Sequence, residues 1–175
     1  MFKDREEYKF YSRMLKEKYR DFYEDIDKIY FDYVERIGDL FGMNIMGYGG
    51  NRVVLDLGDK VVKLALYDKA KKSIKQEIAL YDLVQTKFTE LLKHIPKVYE
   101  YGEYYIIEDK CLRNSEVEIE DDECDIIYED FKNVGIEFID IDDSFQFGKL
   151  DNKVVLIDFE KYIYTVGASE RNKKD

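Results

Sequence analysis

The chain reads as an α+β protein: a long helical opening followed by short strands grouped around one further helix. Three observations predict this. Residues 3–41 keep a helical apolar period; from Met43 the pattern changes to short strands; turn pairs such as Gly58-Asp59, Gly102-Glu103 and Asp151-Asn152 then separate those strands. At 175 residues the chain has about one domain's length, enough for one real core.

The opening segment has no proline, and no glycine before Gly38. Tyr8, Tyr11, Leu15, Tyr19, Phe22, Ile26, Ile29, Tyr33, Ile37 and Leu40 follow one another in steps of three or four, which is a single apolar stripe. The stripe fits one helix or two helices in series, with Asp25 and Asp27 offering a break and a new N-cap near the middle. The stripe is expected to brace the strand-rich part, with Leu15, Phe22, Ile26 and Ile37 turned inward. A partner-binding or dimerising helix is the sharper alternative.

Arg52–Leu57 and Lys60–Leu66 are rich in β-branched residues and separated by Gly58-Asp59, a hairpin signal. Lys69–Leu92 predicts a helix, stopped by Pro96. Lys97–Tyr101 and Tyr104–Asp109 predict two more strands around Gly102-Glu103. Glu116–Asp130 packs nine acids into fifteen residues, either a solvated helix face or loop, or a surface for cations or basic partners. Gly135–Ile141 and Lys153–Phe159 predict strands, the second following a turn at Asp151-Asn152. Residues 169–175 are charged and predict a frayed tail.

Composition narrows the function. The net charge of −11 and pI near 4.7 argue against nucleic acid and anionic membranes as general partners. Cys111, Cys124 and the single histidine, His94, lack metal-ligand spacing and the makings of a histidine triad. No apolar run approaches a membrane span and the N-terminus starts no secretory leader, so a soluble, cytoplasmic protein is expected. Sixteen tyrosines and eleven phenylalanines without a tryptophan predict a core of aromatic rings.

Four motifs carry the chemistry. Gly47-Tyr48-Gly49-Gly50-Asn51-Arg52-Val53-Val54 is a glycine turn in which the backbone can approach a phosphate unobstructed by Cβ atoms. Lys63 stands in the apolar strand Val61-Val62-Lys63-Leu64-Ala65, where a charge needs a partner. Glu77 lies about two helical turns into the following helix. Asp158 leaves the buried-type strand Val154-Val155-Leu156-Ile157 beside Phe159. The acids Asp140, Asp142, Asp143 and Asp158 do not have EF-hand spacing, and nothing orders them as a glycosidase pair.

In this order the motifs resemble those of the protein-kinase-like superfamily, especially its small phage and bacterial members, over roughly residues 43–163. The resemblance implies a kinase-like fold. It has a helical extension (1–41), an N-terminal lobe (42–109) of a small antiparallel sheet plus helix, a reduced C-terminal lobe (110–168) and a flexible tail (169–175).

It further implies ATP and Mg²⁺ as cofactors. Gly47, Gly49, Gly50, Arg52 and Val54 would surround the nucleotide, and Lys63 paired with Glu77 would hold its phosphates. Asp158 and Gln146 would bind metal, and Asp140 would accept the substrate's proton, with Asp142 and Asp143 as rivals. Departures are visible: Arg52 replaces the third glycine, Glu160 the glycine after Asp158-Phe159, and Gln146-Phe147-Gly148 an N-x-G. Two functions follow, a phosphotransferase acting on a protein hydroxyl, or a pseudokinase that binds nucleotide or protein without turnover.

Overall fold

The computed structural model describes residues 34–39, 41–113, 116–139, 146–159 and 161–165. Leu15, Phe22 and Ile26, and the acids at 140, 142 and 143, lie outside them. The described chain is α+β, with antiparallel strands and few helices. It divides into two units: residues up to Ile74 with 100–107, and residues 75–99 with 108 onward.

In the first unit the segment 34–39 is helical, and its Val34 and Ile37 are buried, as the apolar stripe predicts for Ile37. Gly38 is set close against Ile45: a Cβ there would lie 3.0 Å from the isoleucine side chain. Strands β1 (Ile45–Tyr48), β2 (Arg52–Asp56) and β3 (Lys60–Ala65) form an antiparallel meander. The β2–β3 turn needs its glycine. Gly58 has a φ of +91°, and its N–H donates to the Asp56 carboxylate at 2.8 Å.

In the five-stranded sheet the order is β1-β2-β3-β5-β4, with β4 Val98–Tyr101 and β5 Tyr105–Asp109. Lys71 fastens the 103–104 turn. Its Nζ bonds Asp68 and Glu103, each at 2.7 Å, and stands 4.6 Å from the centre of the Tyr104 ring. The neighbouring carboxylates, Asp68 first and then Glu103, raise its pKa.

Lys69–Leu92, expected as one helix, is three pieces. A 3₁₀ turn at Asp68–Ala70 leads into α1 (Lys71–Lys87), and a second 3₁₀ turn covers Thr89–His94. Helical geometry ends at Phe88, with φ −136° and ψ 53°. Just before it, the Thr86 hydroxyl donates to the Asp82 carbonyl at 2.7 Å, the local bonding by which threonine competes with a regular helix end.

The second unit holds most of the described core: Leu80, Val84, Leu91, Ile127, Phe131, Ile136, Phe147, Leu156 and Phe159 form one buried cluster. Helix α2 (Asp121–Asn133) occupies the later part of the acid run and buries Cys124, Ile127 and Phe131, spaced three and four apart. Asp121, Asp122 and Glu123 in its first turn and Lys132 in its last match the helix dipole. Gly135, with a φ of +85°, follows the helix and leads into β7 (Ile136–Phe138). Phe131 meets Phe138, and Tyr128 meets Phe147, both edge-on with ring centres 5.1 Å apart.

Five strands after residue 110 are shorter or newer than the sequence predicts. β6 (Leu112–Arg113), β8 (Phe147–Leu150) and β9 (Lys153–Leu156) make a three-stranded sheet in the order β6-β8-β9, and β7 pairs antiparallel with β10 (Tyr162–Tyr164). The β8–β9 turn is Asp151-Asn152, both with positive φ (52° and 63°), as a tight hairpin requires. Of the strand expected over Gly135–Ile141, the described residues form Ile136–Phe138, and Gly135 serves the helix end.

Candidate phosphate and metal site

In the first unit the register sets Gly47 opposite Val54, and Val54 opposite Lys63. Directly opposed residues share a face, so these three form one row across β1, β2 and β3. At the β1 end of the row a glycine leaves the space over Val54 and Lys63 free of a side chain from that strand. The Lys63 side of β3 carries Val61 and Ala65 as well, all three buried. Strand alternation on the sequence places the lysine among these apolar residues, and the structure does the same.

The glycine turn itself is closed by the Gly49 N–H donating to the Arg52 carbonyl at 2.8 Å. A Cβ at Gly49 or Gly50 would meet nothing within 4 Å, and neither residue has positive φ. Neither backbone strain nor packing among the described residues therefore calls for glycine there. What these glycines leave is open space beside exposed backbone, the condition for an anion to approach N–H groups.

Asn51 holds this turn, a role the sequence reading missed. Its carbonyl accepts from the Leu66 N–H at 2.9 Å, and its side-chain oxygen accepts from the Tyr67 hydroxyl at 2.7 Å. Both donors follow β3 directly, so the turn is tied to the strand that carries Lys63. An asparagine inside a glycine turn is the signal that could have revealed it. Arg52 is buried and engaged, opposite Ala65.

In the second unit Glu77 is buried on α1, 1% exposed, and it too is engaged. A carboxylate so enclosed must be compensated by charge or hydrogen bonds.

Asp158 does not end a strand running to Phe159, as the sequence suggests; β9 stops at Leu156. The Ile157 and Asp158 N–H groups both donate to the Gln146 carbonyl, at 2.7 and 3.2 Å. Two residues facing one is the arrangement of a β-bulge, which breaks the flat ladder and redirects the side chains that follow. The bulge sets the backbone of Asp158 against that of Gln146, two candidate metal ligands that stand twelve residues apart in sequence. Gln146 Oε1 is shut off from solvent. Gln146-Phe147-Gly148 leads into β8, and Phe147 is core.

Gln146 and Asp158 offer an amide oxygen and a carboxylate, a donor set suited to Mg²⁺, which keeps waters and phosphate oxygens for its other positions. Among the described residues no three His, Cys, Asp or Glu gather as a metal-binding group. Asp140 adjoins Ile139, whose N–H donates to the Lys161 carbonyl at 2.9 Å, three residues beyond Asp158.

The thiols offer no rival chemistry. Cys111 and Cys124 are buried and unbridged, and burial, reinforced by Asp121 and other acids of α2, pushes Cys124 up to about 11. No helix among the described residues is long and apolar enough to cross a membrane.

No family model matches the chain, and no curated protein does. Among solved structures it is similar to WbdD, with a TM-score of 0.53 and 15% identity, over 70% of this chain and 33% of that one. The likeness is one of fold. The ADP-bound aminoglycoside phosphotransferase APH(2'')-Ib also matches, at 18% identity over 54% of this chain and 34% of that one. Its TM-score of 0.33 is too low to carry a structural argument. The chain spans about a third of the length of the solved structures it matches.

Proposed function

We propose that this chain is a protein-kinase-like, ATP- and Mg²⁺-dependent phosphotransferase acting on a protein hydroxyl. The observation that carries the reading is the row Gly47–Val54–Lys63, a buried lysine opposite a valine on a sheet whose next strand offers a glycine. An apolar purine can lie on such a valine, and a lysine can meet phosphate oxygens beside it. The fastening of Asn51 to Tyr67 and Leu66 supports a pre-formed turn.

ATP supplies the transferable phosphoryl group when bound, and Mg²⁺ neutralises its charge. Lys63 takes the α and β phosphates, with Glu77 in the paired-acid role that the kinase resemblance gives it. Gly47, Gly49 and Gly50 let backbone N–H groups approach the phosphates. Asp158 and Gln146 hold the metal, a role that their backbone contact supports. Asp140 accepts the proton of the attacking hydroxyl.

A second reading, a pseudokinase that binds nucleotide or protein without transfer, draws on Arg52. Where the kinase pattern has a third glycine, this chain has Arg52, a buried residue with an interaction of its own.

Incubation with Mg²⁺ and γ-labelled ATP, beside Asp158→Ala, tests both. Label transfer by the natural chain and its loss in the variant is the expected result. Nucleotide-dependent thermal stabilisation without transfer would favour the pseudokinase, and neither response would end the nucleotide reading.

A further inference from the structure

Helix α2 and strand β7 enclose a groove of about 530 Å³ that neither nucleotide nor metal chemistry uses. Asp125, Tyr128, Glu129 and Lys132 line it from the helix, four positions of one helical stripe. Glu137 and Phe138 line it from the strand. Asp125, Glu129 and Glu137 are exposed carboxylates, and the single cation, Lys132, is held by Glu129 at 3.0 Å. The lining therefore keeps a net negative charge beside two aromatic rings.

The strand adds a directional feature. The Ile139 N–H donates to the Lys161 carbonyl and the Thr165 N–H to the Gly135 carbonyl. In an antiparallel ladder bonded pairs alternate, so Gly135, Glu137 and Ile139 direct their backbone groups toward β10. Ile136 and Phe138 direct theirs to the opposite edge, where β7 has no second strand among the described residues. Ile136 is fully covered, whereas Phe138 is part-exposed, which makes Phe138 the accessible station on that edge.

We infer that this groove docks an extended, basic peptide segment of a partner protein. The segment lies along the free edge of β7 and exchanges main-chain hydrogen bonds with Phe138. Its lysine or arginine side chains reach Asp125, Glu129 and Glu137. Strand addition supplies the alignment, and the carboxylates select for positive charge. The inference neither requires nor presupposes phosphoryl transfer.

The probe is the fluorescein-labelled peptide Arg-Val-Arg-Val-Arg, titrated by anisotropy at low salt with the full chain. The comparison variants are Asp125→Asn/Glu129→Gln/Glu137→Gln and, as a charge-matched control, Glu35→Gln/Glu90→Gln/Glu118→Gln at exposed positions elsewhere. Removing three groove carboxylates should weaken binding by about tenfold or more, and the control by less than about threefold. N-methylation of the central backbone amide of the peptide should weaken binding by a further factor of about five. No binding by the natural chain, equal losses in both variants, or indifference to N-methylation would each overturn the proposal. Equal losses would mean general attraction to an acidic chain, and indifference would mean that the strand edge takes no part.

Discussion

Replacing Gly148 by alanine probes the join between β6 and β8, on which the position of Gln146 depends. Gly148 stands opposite Arg113, and its φ is not positive, so alanine meets no backbone strain. The obstacle is space. A Cβ would sit 2.7 Å from the Leu112 carbonyl oxygen, 3.1 Å from Cys111 Cβ and 3.3 Å from Ile157 Cγ2. The first contact is to backbone, which cannot rotate away as a side-chain end would, so β8 must shift against β6.

Overpacking of this kind costs about 1–3 kcal/mol. With a urea slope of about 2 kcal/mol per molar for a small protein, the unfolding midpoint should fall by about 0.5–1.5 M. Because Ile157 is one of the crowded groups and also donates to Gln146, the bulge beside Asp158 should loosen, visible as faster hydrogen exchange at the Ile157 and Asp158 amides. Gly49→Ala is the internal control. Its Cβ meets nothing within 4 Å, so stability should hold or rise by about 0.5 kcal/mol, while nucleotide affinity falls. A midpoint for Gly148→Ala at or above that of the natural chain would refute the steric reasoning.

Three other outcomes are expected. Tyr67→Phe leaves the Asn51 side-chain oxygen without its 2.7 Å donor and should cost about 1 kcal/mol in urea unfolding, with faster exchange at the Gly49 amide. For Asp130, the hydrogen bond from His94 (2.7 Å), reinforced by Lys93, holds the carboxylate below its ordinary 3.8. A depressed folded value means that this stabilisation is complete above 3.8 and is lost as pH falls through the folded value. Asp130→Asn should therefore be destabilising at pH 7 by an amount that shrinks as pH falls below 3.8, and a difference that stays constant through that range would contradict the assignment. If transfer activity is found, Asp140→Asn should abolish it with nucleotide binding nearly intact. Full activity in that variant with loss in Asp142→Asn would move the proton acceptor two residues along.

The sequence by itself carried whatever depends on local conformation or on period. Gly58-Asp59 and Asp151-Asn152 were legible as turns because positive φ selects glycine, asparagine and aspartate without help from the rest of the chain. The alternation in β2 and β3 placed Lys63 among apolar neighbours, since side chains on a strand repeat every two residues. The inward face of Ile37 came from its helical stripe in the same way. Tertiary structure decided what depends on a partner strand. β6 and β10 have two or three residues each, too few for a pattern, and exist only through the strands they pair with. The register that aligns Gly47, Val54 and Lys63 is a relation between strands, and no one of them encodes it alone. Gly148 read as a motif letter, yet glycine is needed there because the Leu112 carbonyl comes close from β6. The bulge that sets the backbone of Asp158 against that of Gln146 arises because two successive amides share one carbonyl across the hairpin, a contact made only when β8 and β9 are already paired.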